Sequence, residues 1–309
     1  MKVKPTVELR QIVSHSVVNH KRFHELKNIL CDYIKDSFED YPPKIVALTG
    51  PSRVGKSELM ASVVKEYPSQ VVNGVKKIDV LVVKTPSPVN PLTLPHSVLT
   101  ALGLNVKRGA DNLDLMTKQL ALAQVKTIIF EEASHVVEVN ARMIPRAAGD
   151  FFKSLFEYNR LTVILIGVPH LTRLLESNEQ LLLRADSPLE FMPYSTSDED
   201  LDNFEMAVLT NLSQFTNAGV AFVQKTEEFV DHLYVCSGGL YGIVHKFFLE
   251  LARLVETKKI RIVTDSHCLM VAQTIGLAAH PRLMPFSGSP MPLSAMAAAH
   301  AAVLSRSGK

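Results

Sequence analysis

Five short apolar runs punctuate the first two thirds of the chain: Ile45-Val46-Ala47-Leu48-Thr49 and residues 78–83, 127–130, 162–166 and 189–192. Each has the length of a strand buried on both faces. Between them the apolar residues fall at helical spacing. Leu59, Met60, Val63, Val64 and Tyr67 repeat until Pro68 stops them. Leu113, Met116 and Leu120 follow a cap at Asp111, and Ala148, Phe151, Phe152, Leu155 and Phe156 make another apolar face. Strands alternating with amphipathic helices predict an α/β fold with a five-stranded parallel sheet covered on both sides.

After Pro193 the pattern becomes helical throughout. Thr196-Ser197-Asp198-Glu199 has the spacing of a capping box. Phe229, Val230, Leu233 and Tyr234 mark one helix ending at Gly238-Gly239, while Ile243, Val244, Phe247, Phe248, Leu251 and Leu254 mark the next. A third helix is expected from about Thr264. The expected organisation is a helical lead-in over 1–40, an α/β core over 41–195, a helical lid over 196–278 and a flexible tail over 279–309. That tail is rich in Pro and Ala, and residues 295–304 could become helical against a partner.

At 309 residues, 47% hydrophobic and 21% charged, the chain can bury a substantial core. A formal net charge of +2 gives no strong overall field, so any nucleic-acid binding needs local basic surface. Cys31, Cys236 and Cys268 are scattered, which argues against a disulfide framework or a zinc site. The start, Met1-Lys2-Val3-Lys4-Pro5, has no apolar signal core, and no stretch approaches the roughly 18 apolar residues of a membrane span. A cytoplasmic protein without a membrane partner is expected.

Gly50-Pro51-Ser52-Arg53-Val54-Gly55-Lys56-Ser57, followed by Glu58, fits the P-loop pattern G-x-x-x-x-G-K-[ST]. Its glycines let successive backbone N–H groups turn inward onto a polyphosphate, Lys56 reaches the β- and γ-phosphates, and the Ser57 hydroxyl suits Mg²⁺. The motif lies between a predicted strand and a predicted helix, so ATP or GTP is the expected ligand. Residues 127–130 form an apolar strand that ends in Glu131-Glu132. In P-loop ATPases the first acid at such a place holds the Mg²⁺ shell and the second activates water, which makes Glu131 the metal residue and Glu132 the general base. Glu131 carries one methylene more than the usual aspartate. Arg184, at the end of a predicted helix, has the planar, permanent charge suited to a neighbouring subunit's γ-phosphate, with Arg173 as an alternative. Lys246, after Gly242, is a weaker candidate for a lid sensor.

Taken together the motifs resemble the AAA+ ATPases, and within them the TniB/TnsC family of transposition regulators, over about residues 40–275. The resemblance is carried by Gly50–Ser57 with its Arg53, by Thr85-Pro86-Ser87-Pro88 and by the helix end at Leu99–Gly103. It is carried further by Glu131-Glu132 with His135, by Leu165-Ile166-Gly167-Val168-Pro169 and by Ser237-Gly238-Gly239. Three features depart from the pattern: Glu131, Val168 at the usual polar sensor position (His170 being the nearest polar residue), and the lack of an arginine at the usual lid-sensor position. They bear on hydrolysis more than on ATP binding. Membership implies ATP- and Mg²⁺-dependent assembly of rings or helical filaments on double-stranded DNA. It also implies partners, a TniQ-type target selector and a transposase, with hydrolysis controlling assembly. Sequence-tolerant phosphate contacts to DNA would fall to Lys107, Arg108, Arg142 and Arg146. The competing readings are another DNA-associated AAA+ switch of the helicase-loader or initiator kind, a nucleotide-locked adaptor, and a P-loop kinase or ATPase acting on a small molecule.

Overall fold

The structure, a computed structural model, describes residues 8–16, 20–39, 41–72, 75–107, 112–138, 141–276 and 284–307. The chain enters through α1 (Leu9–His15) and α2 (Lys21–Phe38). It then builds β1 (Ile45–Thr49), α3 (Lys56–Val64), a hairpin of β2 (Gln70–Val72) and β3 (Val75–Lys77), β4 (Val80–Lys84), α4 (Thr93–Ala101) and α5 (Leu113–Leu122). β5 (Thr127–Glu131), α6 (Pro145–Asn159), β6 (Thr162–Gly167), α7 (Thr172–Glu176), α8 (Glu179–Leu182) and β7 (Leu189–Glu190) follow. The five predicted strands are all present, and their order is β4-β5-β6-β1-β7, parallel throughout. Val83, Phe130, Leu165 and Ala47 pair in one row across four of them. Every residue of β1 and β6 is buried, which is why these strands read as unbroken apolar runs. Phe130 packs edge-to-face against Phe151 and Phe152 of α6, with centroids 6.2 and 5.0 Å away.

The remaining elements are α9 (Asp198–Asn217), β8 (Ala221–Phe222), α10 (Thr226–Ser237), α11 (Tyr241–Lys258), β9 (Ile262–Val263), α12 (Asp265–Ile275) and α13 (Leu293–Ser307). Contacts divide the chain into two compact units. One holds Glu25–Gly50 and Lys56–Phe191; the other holds Met1–His24, Pro51–Gly55 and Met192–Lys309. These limits differ from the linear division expected at 1–40, 41–195 and 196–278, because α2 is shared and five P-loop residues group with the helical unit. The helical unit has an aromatic core in which Phe229 touches Phe222, Phe247, Phe248 and Phe286.

Two local expectations turn out differently. The tail is not irregular over 293–307: α13 buries Ala295, Met296, Ala299 and Val303, and Phe286 plugs the aromatic core, stacked on His232 and Phe247. Small side chains let α13 lie close to its own helical unit, so it finds within the chain the partner that the sequence left open. The capping box at 196–199 does not form. Asp200, in the first turn of α9, instead ties down the chain before the helix, accepting from the Ser195 N–H and hydroxyl at 2.8 and 2.6 Å. A capping box does form at Thr264 and His267, opening α12 where a helix was expected. The cap expected at Asp111 lies outside the described residues.

Gly239 sits at φ +82°, and a Cβ there would lie 2.1 Å from Tyr194 O. Gly239→Ala is therefore expected to destabilise the protein by at least about 2 kcal/mol. Gly288, at φ +87°, would place the added carbon against nothing within 4 Å, so Gly288→Ala should lose only about 1 kcal/mol. Denaturant midpoints of the two variants check the difference.

Candidate nucleotide site

β1 delivers the chain to the P-loop at a buried edge, where the Phe191 N–H donates to Thr49 O at 2.7 Å. The loop then turns through two left-handed positions, Arg53 at φ +67° and Gly55 at φ +117°. Only glycine takes the second of these readily. Val54 is buried and anchors the loop from inside, whereas Ser52, Arg53, Ser57 and Glu58 are exposed. Lys56 opens α3, so the first-turn amides of that helix face the loop. Its Nζ donates to Gly50 O at 2.6 Å, and burial lowers the amine from its ordinary value to about 8. A second strand of chain holds the loop from outside: the Gly242 N–H donates to Arg53 O at 3.0 Å. A Cβ on Gly242 would lie 2.3 Å from that oxygen, so the approach requires glycine.

The acidic half of the candidate site lies at the end of β5. Burial, and then the charge of Glu132, raise the Glu131 carboxyl above the ordinary range, with Lys84 opposing. Glu132 is held in the left-handed region at φ +54°, where few side chains other than Asn or Asp settle without cost. Its carboxylate lies 3.6 Å from Lys84 Nζ on the adjoining strand and 3.9 Å from His135 Nε2. The short turn after it is tied to the end of β6, because Ser134 Oγ accepts the Val168 N–H at 2.8 Å. Gly167 makes this possible, since a Cβ there would lie 2.2 Å from Ser134 Oγ. Ser134 was not legible as a site residue, because nothing in its local pattern marks a contact made 34 residues away. Just past β4, β5 and β6 respectively, Thr85 Oγ1, His135 Nδ1 and His170 Nε2 are buried without a hydrogen-bond partner among the described residues. The described residues contain no cluster of three or more His, Cys, Asp or Glu suited to a metal. A cation at this site would instead need oxygens from different elements, and a desolvated Glu131 beside a second carboxylate is chemistry that a divalent ion relieves.

The other predicted residues are placed as follows. Arg184 follows α8, its Nη2 lying 2.7 Å from Glu157 Oε1 and its Nη1 donating to Gln180 O at 2.9 Å. Arg173 is exposed on α7. Lys246 Nζ donates to Ile275 O at 3.1 Å and thereby caps the carboxyl end of α12. Lys107, Arg142 and Arg146 are exposed, and Arg108 lies outside the described residues. The helical unit also contains a cluster that the sequence did not suggest. His20 lies edge-on to Tyr194 with centroids 5.2 Å apart and is tilted against Tyr241 at 5.4 Å. The Arg22 guanidinium stands 5.1 Å from the Tyr194 ring centroid. Burial and the Arg22 charge lower the His20 imidazole to about 4, so it is neutral at pH 7. Among the described residues no helix is long and apolar enough to cross a membrane.

The fold is that of AAA+ P-loop ATPases. The ORC2 protein of Aeropyrum pernix, solved in ADPNP–ADP complexes, is 13% identical with a TM-score of 0.60, over 86% of this chain and 71% of that one. Cdc6p of Pyrobaculum aerophilum is 10% identical with a TM-score of 0.62, covering 85% and 70%. The ORC1 protein of A. pernix, solved in complex with DNA, is 14% identical with a TM-score of 0.60, covering 86% and 69%. No curated protein matches the chain. The family described as Bacterial TniB protein matches residues 8–190, more than half of the sequence, and the chain belongs to that TniB family.

Proposed function

We propose that this chain is an ATPase that assembles on double-stranded DNA and regulates transposition, linking a TniQ-type target selector to a transposase. The observation that carries the nucleotide reading is the P-loop itself. A partly buried lysine with a depressed pKa donates to a loop carbonyl, within a turn that needs Gly55. A triphosphate would replace the Gly50 carbonyl as the partner of Lys56 and would accept from the loop amides. Ser57 and Glu131 would hold Mg²⁺, which neutralises charge on the β- and γ-phosphates when bound. Glu132 would draw the proton from the attacking water. Its left-handed backbone and its two basic neighbours, Lys84 and His135, set the direction of its carboxylate.

The reading as a DNA-associated regulator draws on the TniB family and on the likeness to the A. pernix ORC1 protein, solved in complex with DNA. Exposed Arg142 and Arg146 flank Ile144, which is itself 68% exposed, so this segment combines phosphate-binding charge with uncovered apolar surface. With Lys107 these residues would make salt-sensitive contacts to duplex phosphates. Arg184, with Arg173 as the alternative, would complete the triphosphate site of a neighbouring copy.

Electron microscopy of the protein with duplex DNA and a non-hydrolysable ATP analogue should show rings or filaments. Lys56→Ala should abolish both nucleotide retention and assembly, and monomers of the unaltered protein under these conditions would overturn the assembly reading. Glu132→Gln is expected to keep ATP binding and lower DNA-stimulated phosphate release at least about 100-fold. Because Lys56 is depressed to about 8 when free and a bound polyphosphate favours its charged form, binding should take up protons above pH 8. ATP affinity should accordingly fall as pH rises beyond 8. Titration calorimetry in buffers of different ionisation enthalpy would read that uptake directly.

A further inference from the structure

The arginine that the assembled state would need is already engaged within its own chain. Arg184 meets Glu157 at 2.7 Å near the end of α6 and donates to Gln180 O at 2.9 Å, so its fork is held at two points. Glu157 is in turn held by a second cation, with Lys153 Nζ 3.8 Å away, and Lys153 hydrogen-bonds the Gln180 side chain. Lys153 thus links the Glu157 carboxylate to the Gln180 side chain, so Glu157 keeps a cationic partner when Arg184 leaves it. The Arg184 and Glu157 side chains are 34% and 31% exposed. A pair this open to water is worth only a few-fold in an equilibrium constant, so it can be exchanged. The residues next to it in sequence, Tyr158 and Leu183, are 80% and 78% exposed.

We infer that Glu157 is a placeholder anion for Arg184 and decides which nucleotide state permits one copy of the chain to engage the next. This rests on the reading of Arg184 as an arginine acting in trans. A carboxylate presents one charge over two oxygens, whereas a terminal phosphate presents more charge over three. The γ-phosphate of a neighbouring copy outcompetes Glu157, while a nucleotide that lacks it leaves the Arg184–Glu157 pair closed. A second copy covering Tyr158 and Leu183 would also exclude water, strengthening whichever pairing prevails. Glu157 is thus a positioning and specificity residue, set against assembly with diphosphate.

The test follows assembly of the full chain on duplex DNA by sedimentation, titrating ADP or the non-hydrolysable analogue adenylyl imidodiphosphate. Glu157→Gln keeps the shape and removes the charge. It should lower the analogue concentration at half-maximal assembly about three- to fivefold and permit partial assembly with ADP. Glu157→Ala should do the same, which guards against a folding defect peculiar to one variant. Combined with Arg184→Ala the gain should vanish, because the two residues act through one contact. If Arg184→Ala alone assembles like the unaltered chain, the trans-arginine reading fails. If Arg184→Ala blocks assembly but both Glu157 variants need as much analogue as the unaltered chain and still reject ADP, the placeholder inference is overturned and the arginine reading stands.

Discussion

Backbone approaching backbone without an intervening Cβ is the constraint on which the candidate site depends. The P-loop closes because Gly55 can sit at φ +117°, and it is held closed because Gly242 lets the start of α11 donate to Arg53 O at 3.0 Å. A methyl group at 242 would fall 2.3 Å from that oxygen. The same device recurs at Gly239 against Tyr194 O and at Gly238, where a Cβ would lie 2.9 Å from Ala299 O of α13. Within the helical unit, Gly238 and Gly239 after α10 and Gly242 in the first turn of α11 thus receive the last helix, the chain before α9 and the P-loop residues. At Gly242 and Gly239 hydrogen bonds between amides set these distances, and side chains would push them apart.

Strand order supplies the second requirement. β6 lies between β1 and β5, so the acids of β5 arise one strand removed from the strand that feeds Gly50 and Lys56. The polar groups at the ends of β4, β5 and β6 then form a connected edge. Lys84 lies beside Glu132, and Ser134 is tied to the Val168 amide. Partial burial raises the cost of leaving these charges unbalanced, as the raised Glu131 carboxyl and the lowered Lys56 amine both record. Arg184 and Glu157 occupy the opposite regime. Water reaches both, their pairing is weak, and it can be traded for a better partner.

Much of this was legible along the chain. The runs at 45–49, 127–130 and 162–166 are strands because two-sided burial leaves no polar alternation to obscure them, and the glycine and lysine spacing of 50–57 specifies a loop whose chemistry is local. Amphipathic spacing likewise located α10 and α11, and α12 opens where a third helix was expected, at Thr264. Of the tail only the helical capacity of 295–304 was legible: its packing was not, because α13 settles where small side chains allow a close approach to other elements of the helical unit.

The sequence by itself therefore determined the parallel α/β core, the helices that follow it, the P-loop and the pair of acids, since each depends on residues near one another in the chain. Tertiary structure decided the partners: Glu157 for Arg184, Ile275 O for Lys246, Ser134 for the Val168 amide, Asp200 for Ser195 ahead of α9, and His20 with Tyr194 and Tyr241. Most of these contacts join segments tens of residues apart. Their energy depends on distance, burial and angle in space, quantities that a linear pattern does not contain.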